Sequence, residues 1–589
     1  MTLLLDYHPP WVKATMPSET ATERLDRLLH TWQAQRFGGL SPVSLGLAWA
    51  DWVWHLALSP GRQMELIARM TSLLQQSCQP DLPLAAKRGM DDEDPRFRHD
   101  AWTQWPFCQI RTAFRKAEHF WFEAAETAGM TAHHRQMTRF FAKQWLDMLS
   151  PANGVFTNPV VLHDVIQSQG THLLHGLLHA LEDGLNPSKA TAAASAPGIQ
   201  VGKNVACTPG VVVFRNALIE LIRYQPQTEQ VYPEPILIIP SWIMKYYILD
   251  LSPHNSMVRY LVQQGHTVYL LSWRNPQAQD HDLSMDDYLR LGVLDALNEV
   301  GTLSHSNGVH AVGYCLGGTL LAIAAAALSS KHGVSRARHL PPLRSLTLMA
   351  AQTDFTEPGE LGLFIDASQI EYLRNQTRGT GYLSGTQMAG SFQFLHSRDL
   401  FWTRRMRSYL LGEREPGNDL MAWNADTTRM PARMHHEYLT SLYLNNALAA
   451  NAYEVEDRSV SLGDIKAPLF LVATQRDHIS PWRSVYKLHH LCDAEITFVL
   501  TTGGHNAGIV SEPGHANRAY QIATRPAYGA WEEPDHWLEH ARQETGSWWP
   551  AWQAWLAQHS GSQQDAQNLA TEQNFGYAPG TYVFQRYPD

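Results

Sequence analysis

The sequence predicts an α/β fold: a mostly parallel sheet flanked by helices and carrying an inserted lid, preceded by a mainly helical N-terminal domain. Three observations predict it. Short apolar runs alternate with helical stretches from about residue 205 to 500; that alternation breaks between 350 and 468; and few strand signals interrupt residues 20–185. Apolar strands alternating with helices imply a parallel sheet covered on both faces. At 589 residues the chain exceeds one ordinary hydrophobic core. The expected division is 1–200 for the helical domain and 201–589 for the sheet domain, with the lid at about 351–450.

Taken in order, residues 1–19 read as a loose leader, and MTLLLDYHPPWVKA lacks the basic start and long apolar core of a secretory signal. Thr20 and Glu23 form a capping-box pattern before Leu25, Leu28, Leu29 and Trp32 on one helical face. Further helical patterns cover about 44–76 and 109–149, and PSKATAAASAPG (187–198) reads as a linker. Six runs then predict strands: PILIIP (235–240), TVYLLSW (267–273), VHAVGY (309–314), SLTLMA (345–350), PLFLVAT (468–474) and EITFVL (495–500). DDYLRLGVLDALNEVG (286–301) predicts one of the intervening helices. The gap from 350 to 468 is too long for one crossover and contains helical HHEYLTSLYLNNALAANAY, which places an inserted lid over the carboxyl edge of the sheet. A polar linker at 560–573 leads to a short extended tail, and no internal repeat is present.

Composition narrows the function classes. The chain is 44% hydrophobic and 17% charged, a globular balance. A formal net charge of -10 leaves no broad positive field for nucleic acid. The five cysteines (Cys78, Cys108, Cys207, Cys315, Cys492) are few, odd in number and far apart, with no CxxC pair. That excludes a disulfide framework or zinc ribbon and fits a reducing cytoplasm. No apolar run approaches the roughly 20 residues that span a bilayer. The 20 tryptophans are read mostly as core or domain contacts, with some free to serve an apolar surface. There is no Walker motif, GxGxxG after a strand or HExxH. The adjacent pairs His133–His134 and His489–His490 do not share a helix face, so neither a metal nor a cofactor is expected.

The chemistry gathers at strand ends. Gly313-Tyr314-Cys315-Leu316-Gly317 is the G-x-S-x-G nucleophile elbow with cysteine in place of serine, between a strand and the helix-forming TLLAIAAAALSS (319–330). Gly313 and Gly317 permit the tight turn. The turn places the sulfur at a helix start, where the dipole favours negative charge. A thiol needs a base, and the base an orienting carboxylate. In the α/β-hydrolase arrangement the order is nucleophile, acid, histidine. Asp477 follows the strand at 468–474, and His505 follows the next strand after Gly503-Gly504. His478, beside Asp477, is a rival base. Oxyanion donors are expected from the Leu316 N–H and from the loop Ser241-Trp242-Ile243-Met244, where Trp242 or Ile243 is the candidate. Leu316 and Ile243 are the pair carried forward.

Together these residues resemble the single-subunit polyhydroxyalkanoate (poly-3-hydroxybutyrate) synthases over nearly the whole chain. Beyond GYCLGGT, the similarity extends through TPGVVVFRNALIELIRY (208–224), YYILDLSPHNSMVRYLVQQGHTVYLLSWRNP (246–276), YLLGEREPGNDLMAWNADTTRMP (409–431), DHISPW (477–482), GGHNAGIVSEPG (503–514) and GSWWPAWQAWL (546–556). The resemblance implies an α/β-hydrolase core with a mobile lid. It implies an enzyme that polymerises (R)-3-hydroxyacyl-coenzyme A, short-chain substrates such as the 3-hydroxybutyryl thioester included, and releases coenzyme A. Cys315 would carry the acyl chain, His505 would be the base and Asp477 the carboxylate, the aspartate also helping to activate the incoming 3-hydroxyl. No cofactor is implied, coenzyme A being part of the substrate. A homodimer on the surface of cytoplasmic polyester granules is implied as well. The chain departs from the family pattern at Ser241 and Met244, where proline and asparagine are usual, and in the lid at His396 and Arg398, where arginine and asparagine are commoner. Two other readings are a cysteine-type acyl hydrolase or thioesterase on the same fold, and an inactive granule-coat scaffold.

Overall fold

The computed structural model describes residues 20, 22, 25, 29, 39–78, 94–185, 198–330, 340–388, 402–414, 417–566 and 575–587. In the helical region each long sequence pattern splits in two. Residues 44–76 become α1 (Pro42–Ala57) and α2 (Pro60–Cys78); residues 109–149 become α3 (Phe107–Ala124) and α4 (Ala132–Met148). α5 (Pro159–Gln167) and α6 (Thr171–Leu185) follow. Pro60 cannot donate to the ladder of α1, so it opens a new helix. The second break falls at Gly129, at φ 95°, and Thr131 then caps α4 by accepting the His134 N–H at 3.2 Å.

These helices are tied by polar contacts the periodicity does not announce. Trp52 Nε1 on α1 donates to the Ala124 carbonyl at 2.8 Å. The Arg96 guanidinium reaches Asp94 and Glu118 at 2.7 Å and Asp147 at 3.0 Å, while Arg115 adds contacts to Asp94 and Glu118. Glu118 and Asp147 are buried, and the side chains of Asp94 and Arg96 are 6% and 9% exposed. Burial alone would raise the Asp94 carboxyl, but the hydrogen bonds and charge of Arg96, with Arg115, outweigh it and hold Asp94 below its ordinary value. The same compact unit includes the described part of Ala389–Gly417, where the Tyr409 hydroxyl donates to Asp183 at 3.0 Å.

The other unit, which includes the described residues of Ser195–Met388 and Asn418–Asp589, is built on a ten-stranded sheet. Its strands are β1 (Gly210–Arg215), β2 (Ile219–Tyr224), β3 (Ile236–Ile239), β4 (Val268–Trp273), β5 (Val309–Tyr314), β6 (Leu343–Met349), β7 (Leu469–Thr474), β8 (Ile496–Thr501), β9 (Ala519–Arg525) and β10 (Arg542–Thr545). They lie in the order β1-β2-β4-β3-β5-β6-β7-β8-β9-β10. The stretch from β4 to β8 is parallel and the margins are antiparallel. All six apolar runs are strands of this parallel core. The marginal strands escape the pattern because they mix charge with apolar residues. β2 is wholly buried yet carries Glu220, whose carboxylate accepts the Thr581 N–H at 2.8 Å from 361 residues away.

α7 (Asp295–Ser304) precedes β5, and α8 (Leu316–Ser329) follows it. α8 is apolar on every side and almost wholly buried, as such a helix must be. Segment 575–578 covers the β1 edge: Val212 N–H donates to Gly576 and Phe575 N–H to Val212. Tyr382–Leu383 and Met430–Pro431 pair antiparallel within the region expected to hold the lid. The stretch Ala432–Tyr438 there runs straight into a π-helical turn, Leu439–Leu444. Most of the helix expected after Thr20, residues 187–197, and the lid residues His396 and Arg398 lie outside the described residues. Among the described residues no helix is long and apolar enough to cross a membrane.

Candidate active site

β5 ends at Tyr314 and α8 begins at Leu316, so Cys315 alone makes the turn. Its backbone stands at φ 53°, ψ -125°, a costly conformation for a residue with a Cβ. Strain at this point is what a nucleophile elbow requires. The flanking glycines are set by space: a Cβ on Gly313 would sit 2.4 Å from the Gly318 Cα, and one on Gly317 2.3 Å from the Ile239 carbonyl oxygen. The Cys315 N–H donates to the Met349 carbonyl at 2.9 Å, which fixes the elbow to the end of β6.

β7 and β8 run parallel and in register from Leu469 opposite Ile496 to Thr474 opposite Thr501, so the loops beyond them leave side by side. This brings His505 Nδ1 to 2.8 Å from Asp477 Oδ2. Asp477 also accepts the Thr474 hydroxyl at 3.2 Å and the Ile479 and Ser480 N–H groups at 2.9 and 2.8 Å. Burial would raise its carboxyl, but the His505 charge and hydrogen bond, with the two backbone donors, hold it below its ordinary value. For His505, burial opposes the imidazolium, yet Asp477 and the Cys315 sulfur outweigh it and raise the ring well above its ordinary value. Cys315 and Asp477 thus both act on the one ring. Of the two rival histidines, Asp477 holds His505, whereas His478 is exposed.

The loop after β3 stands against the elbow. The Pro240 carbonyl oxygen lies 2.4 Å from where a Gly317 Cβ would be. Leu316, first in α8, has an N–H without an intrahelical acceptor. Thr428 braces the loop by donating its hydroxyl to the Trp242 carbonyl at 2.8 Å and its N–H to the Ile243 carbonyl at 3.4 Å.

Several neighbours escaped the sequence reading. The Tyr314 hydroxyl donates to Asn506 Oδ1 at 2.6 Å, beside His505. Trp548 and Trp549 donate their ring N–H groups to the Gly508 and Ile509 carbonyls at 3.0 and 2.9 Å, holding the loop that carries His505. Tyr438 donates to the Tyr443 hydroxyl at 3.0 Å; the Tyr438 residue is buried and Tyr443 half-buried, and both hydroxyls feel the Cys315 sulfur electrostatically. Burial keeps both phenols protonated donors. Trp242, with its ring 6.3 Å from that of Tyr438, and Phe355, 4.7 Å from Tyr443, extend this aromatic wall. The signal for the tyrosines is their i, i+5 spacing, which only a π-helical turn stacks. Among the described residues no group of three or more His, Cys, Asp and Glu side chains is placed to hold a metal ion.

Comparison with known proteins bears on this arrangement. Residues 93–261 match the family model "Poly-beta-hydroxybutyrate polymerase (PhaC) N-terminus", residues 20–62 match "Poly-beta-hydroxybutyrate polymerase N terminal", and residues 234–512 match the alpha/beta hydrolase fold. The poly(3-hydroxyalkanoate) polymerase subunit PhaC of Rhizobium etli is 37% identical over 84% of this chain and 77% of its own length. The protein of that name from Rhizobium meliloti is 33% identical over 96% of this chain and 93% of its own. The Cupriavidus necator protein is 36% identical over 83% of each.

Proposed function

This chain belongs to the poly(3-hydroxyalkanoate) polymerase family, acyltransferases on the α/β-hydrolase fold, and from that premise we propose that Cys315, His505 and Asp477 form its catalytic triad and that it polymerises (R)-3-hydroxyacyl-coenzyme A with short acyl chains. The observation that carries this reading is the 2.8 Å His505–Asp477 pair, on a ring that the Cys315 sulfur also raises.

In this scheme His505 takes the Cys315 thiol proton as the sulfur attacks the thioester carbonyl. The N–H groups of Leu316 and Ile243 receive the charge on the carbonyl oxygen. The carbon–sulfur bond to coenzyme A breaks, and His505 returns a proton to the departing thiolate. The 3-hydroxyl of a second acyl group then attacks the Cys315 thioester, His505 takes the hydroxyl proton, and an ester forms as the thiol is regenerated. Sulfur suits this sequence because thioester exchange is nearly energy-neutral, so the acyl group stays activated for an alcohol. Asp477 acts through His505: its carboxylate is wholly buried and already accepts four hydrogen bonds, which supports an orienting role over direct contact with the incoming hydroxyl. Water must lose to that hydroxyl, and the buried Trp242, Tyr438 and Phe355, with the half-buried Tyr443, favour its exclusion.

Homodimerisation and attachment to polyester granules belong to the same proposal. The support for attachment is the exposed apolar row Leu174, Leu177, Leu178, Leu181 and Leu185 on α6, at helical spacing.

Purified protein given (R)-3-hydroxybutyryl-coenzyme A is expected to release coenzyme A and deposit insoluble polyester. Soluble 3-hydroxybutyrate as the sole product would replace this reading with the acyl hydrolase. A pH profile tests the triad separately. The Asp477 carboxylate keeps the His505 imidazole protonated above its ordinary range, so Asp477→Asn withdraws that support and the ring loses its proton at lower pH. The limb of kcat/KM governed by His505 is therefore expected to move toward acid in Asp477→Asn; an unmoved limb would detach Asp477 from His505.

A further inference from the structure

Segment 575–587 crosses the sheet unit as a strap, and its far end reaches the loop that follows β3. Its first anchor is Glu220 on β2, fully buried, which accepts the Thr581 and Tyr582 N–H groups at 2.8 and 2.9 Å and the Thr581 hydroxyl at 2.7 Å. Its second is Lys245, whose buried ammonium donates to the Gln585 carbonyl at 2.8 Å and the Tyr582 carbonyl at 3.4 Å, a sequence separation of 340 residues for the shorter contact. Its third is Asp426, a buried carboxylate gripped by both arms of the Arg586 fork at 3.0 and 2.8 Å and by the Tyr247 hydroxyl at 3.0 Å. A fourth tie runs through Asn275, whose N–H and amide reach Gln585 at 3.1 and 3.2 Å while its oxygen accepts the Arg429 N–H.

These contacts converge on one place. Lys245 lies two residues beyond Ile243, and its carbonyl accepts Trp423 Nε1 at 2.7 Å. Asp426 begins the short stretch that braces the same loop: Thr427 bridges to Met244, and Thr428 holds the Trp242 and Ile243 carbonyls. Loop, bracing stretch and strap form one junction. A buried ammonium is expensive to desolvate. Burial pulls Lys245 down to about 8, against the attraction of Asp426 and with the repulsion of Arg586. Packing alone would be served better by an apolar residue; a charge that captures two carbonyls fixes position instead.

We propose that the strap Tyr582–Arg586 positions the oxyanion loop, with Lys245, Asp426 and Arg586 as positioning residues that hold the Ile243 N–H where charge develops on the carbonyl oxygen. The proposal rests on reading Ile243 as an oxyanion donor. Such a donor must be held within about 0.5 Å of its productive place, and losing one costs about 10²–10³ in kcat.

The test uses the full chain with Arg586→Met, Arg586→Lys and Lys245→Met. The Arg586 side chain is 66% exposed, so its replacement spares the core. Coenzyme A release from 3-hydroxybutyryl-coenzyme A gives kcat and KM; alkylation of Cys315 by iodoacetamide, which forms no oxyanion, reports the thiol alone. In Arg586→Met and Lys245→Met, kcat is expected to fall at least about tenfold with KM and the alkylation rate held. Arg586→Lys, keeping charge without the fork, is expected to fall between. Unchanged kcat in both methionine variants, a change in KM alone, or kcat and alkylation falling together would overturn the proposal. Wild-type protein that still releases coenzyme A after complete alkylation of Cys315 would instead overturn the catalytic reading of the elbow.

Discussion

Cys315→Ala is expected to reduce coenzyme A release from 3-hydroxybutyryl-coenzyme A by on the order of 10³-fold or more while leaving the melting temperature close to that of the wild type. The loss is large because the attacking atom is gone and no acyl-enzyme forms; what remains is binding and the oxyanion donors. The fold is expected to survive because alanine occupies less space and the glycines that permit the turn, Gly313 and Gly317, are untouched. Cys315→Ser is expected to be nearly as poor. Its hydroxyl must surrender a proton to His505, and an alcohol gives up that proton far less readily than a thiol. Steady-state assays beside thermal melts check both variants. Unchanged turnover in Cys315→Ala would remove the elbow from the mechanism.

Arg96→Met is expected to destabilise the helical unit by about 3–5 kcal/mol, because it strands buried carboxylates that had shared one cation. Arg96 holds Asp94, Glu118 and Asp147 at once, and Arg115 reaches two of the three. Urea denaturation of the variant against the wild type measures the difference; a loss below about 1 kcal/mol would place the network among ordinary surface pairs. The pH dependence carries a sign. Asp94 is held below its ordinary value in the folded state, so its contribution is present above the ordinary carboxylate range and is lost as pH falls through the lowered folded value. The wild type is therefore expected to lose more stability on acidification than Arg96→Met does.

The candidate site was unevenly legible. Cys315 announced itself because an elbow is a local steric device, written as two glycines around one strained residue. Asp477 and His505 were readable as strand-end residues in the right chain order, but their 2.8 Å contact follows only from β7 and β8 lying side by side. Tyr438 and Tyr443 were invisible for a geometric reason: five residues apart, they fall on different faces of an α-helix and meet only across the π-helical turn Leu439–Leu444. The tryptophans of GSWWPAWQAWL were visible as a motif, while their hydrogen bonds to Gly508 and Ile509 were not.

The sequence by itself determined the parallel core, the elbow, the strand ends that carry Asp477 and His505 and the helical character of the first region. Each is a local property: strands buried on both faces must be apolar runs, and a tight turn must be small. Tertiary structure alone decided which imidazole Asp477 orients, how charged β2 comes to be wholly buried, how Arg96 gathers its carboxylates and how Lys245 meets Gln585 across 340 residues. Those are contacts between single side chains far apart in the chain, which no periodicity records and which form only once the sheet and helices have brought them within a few ångströms.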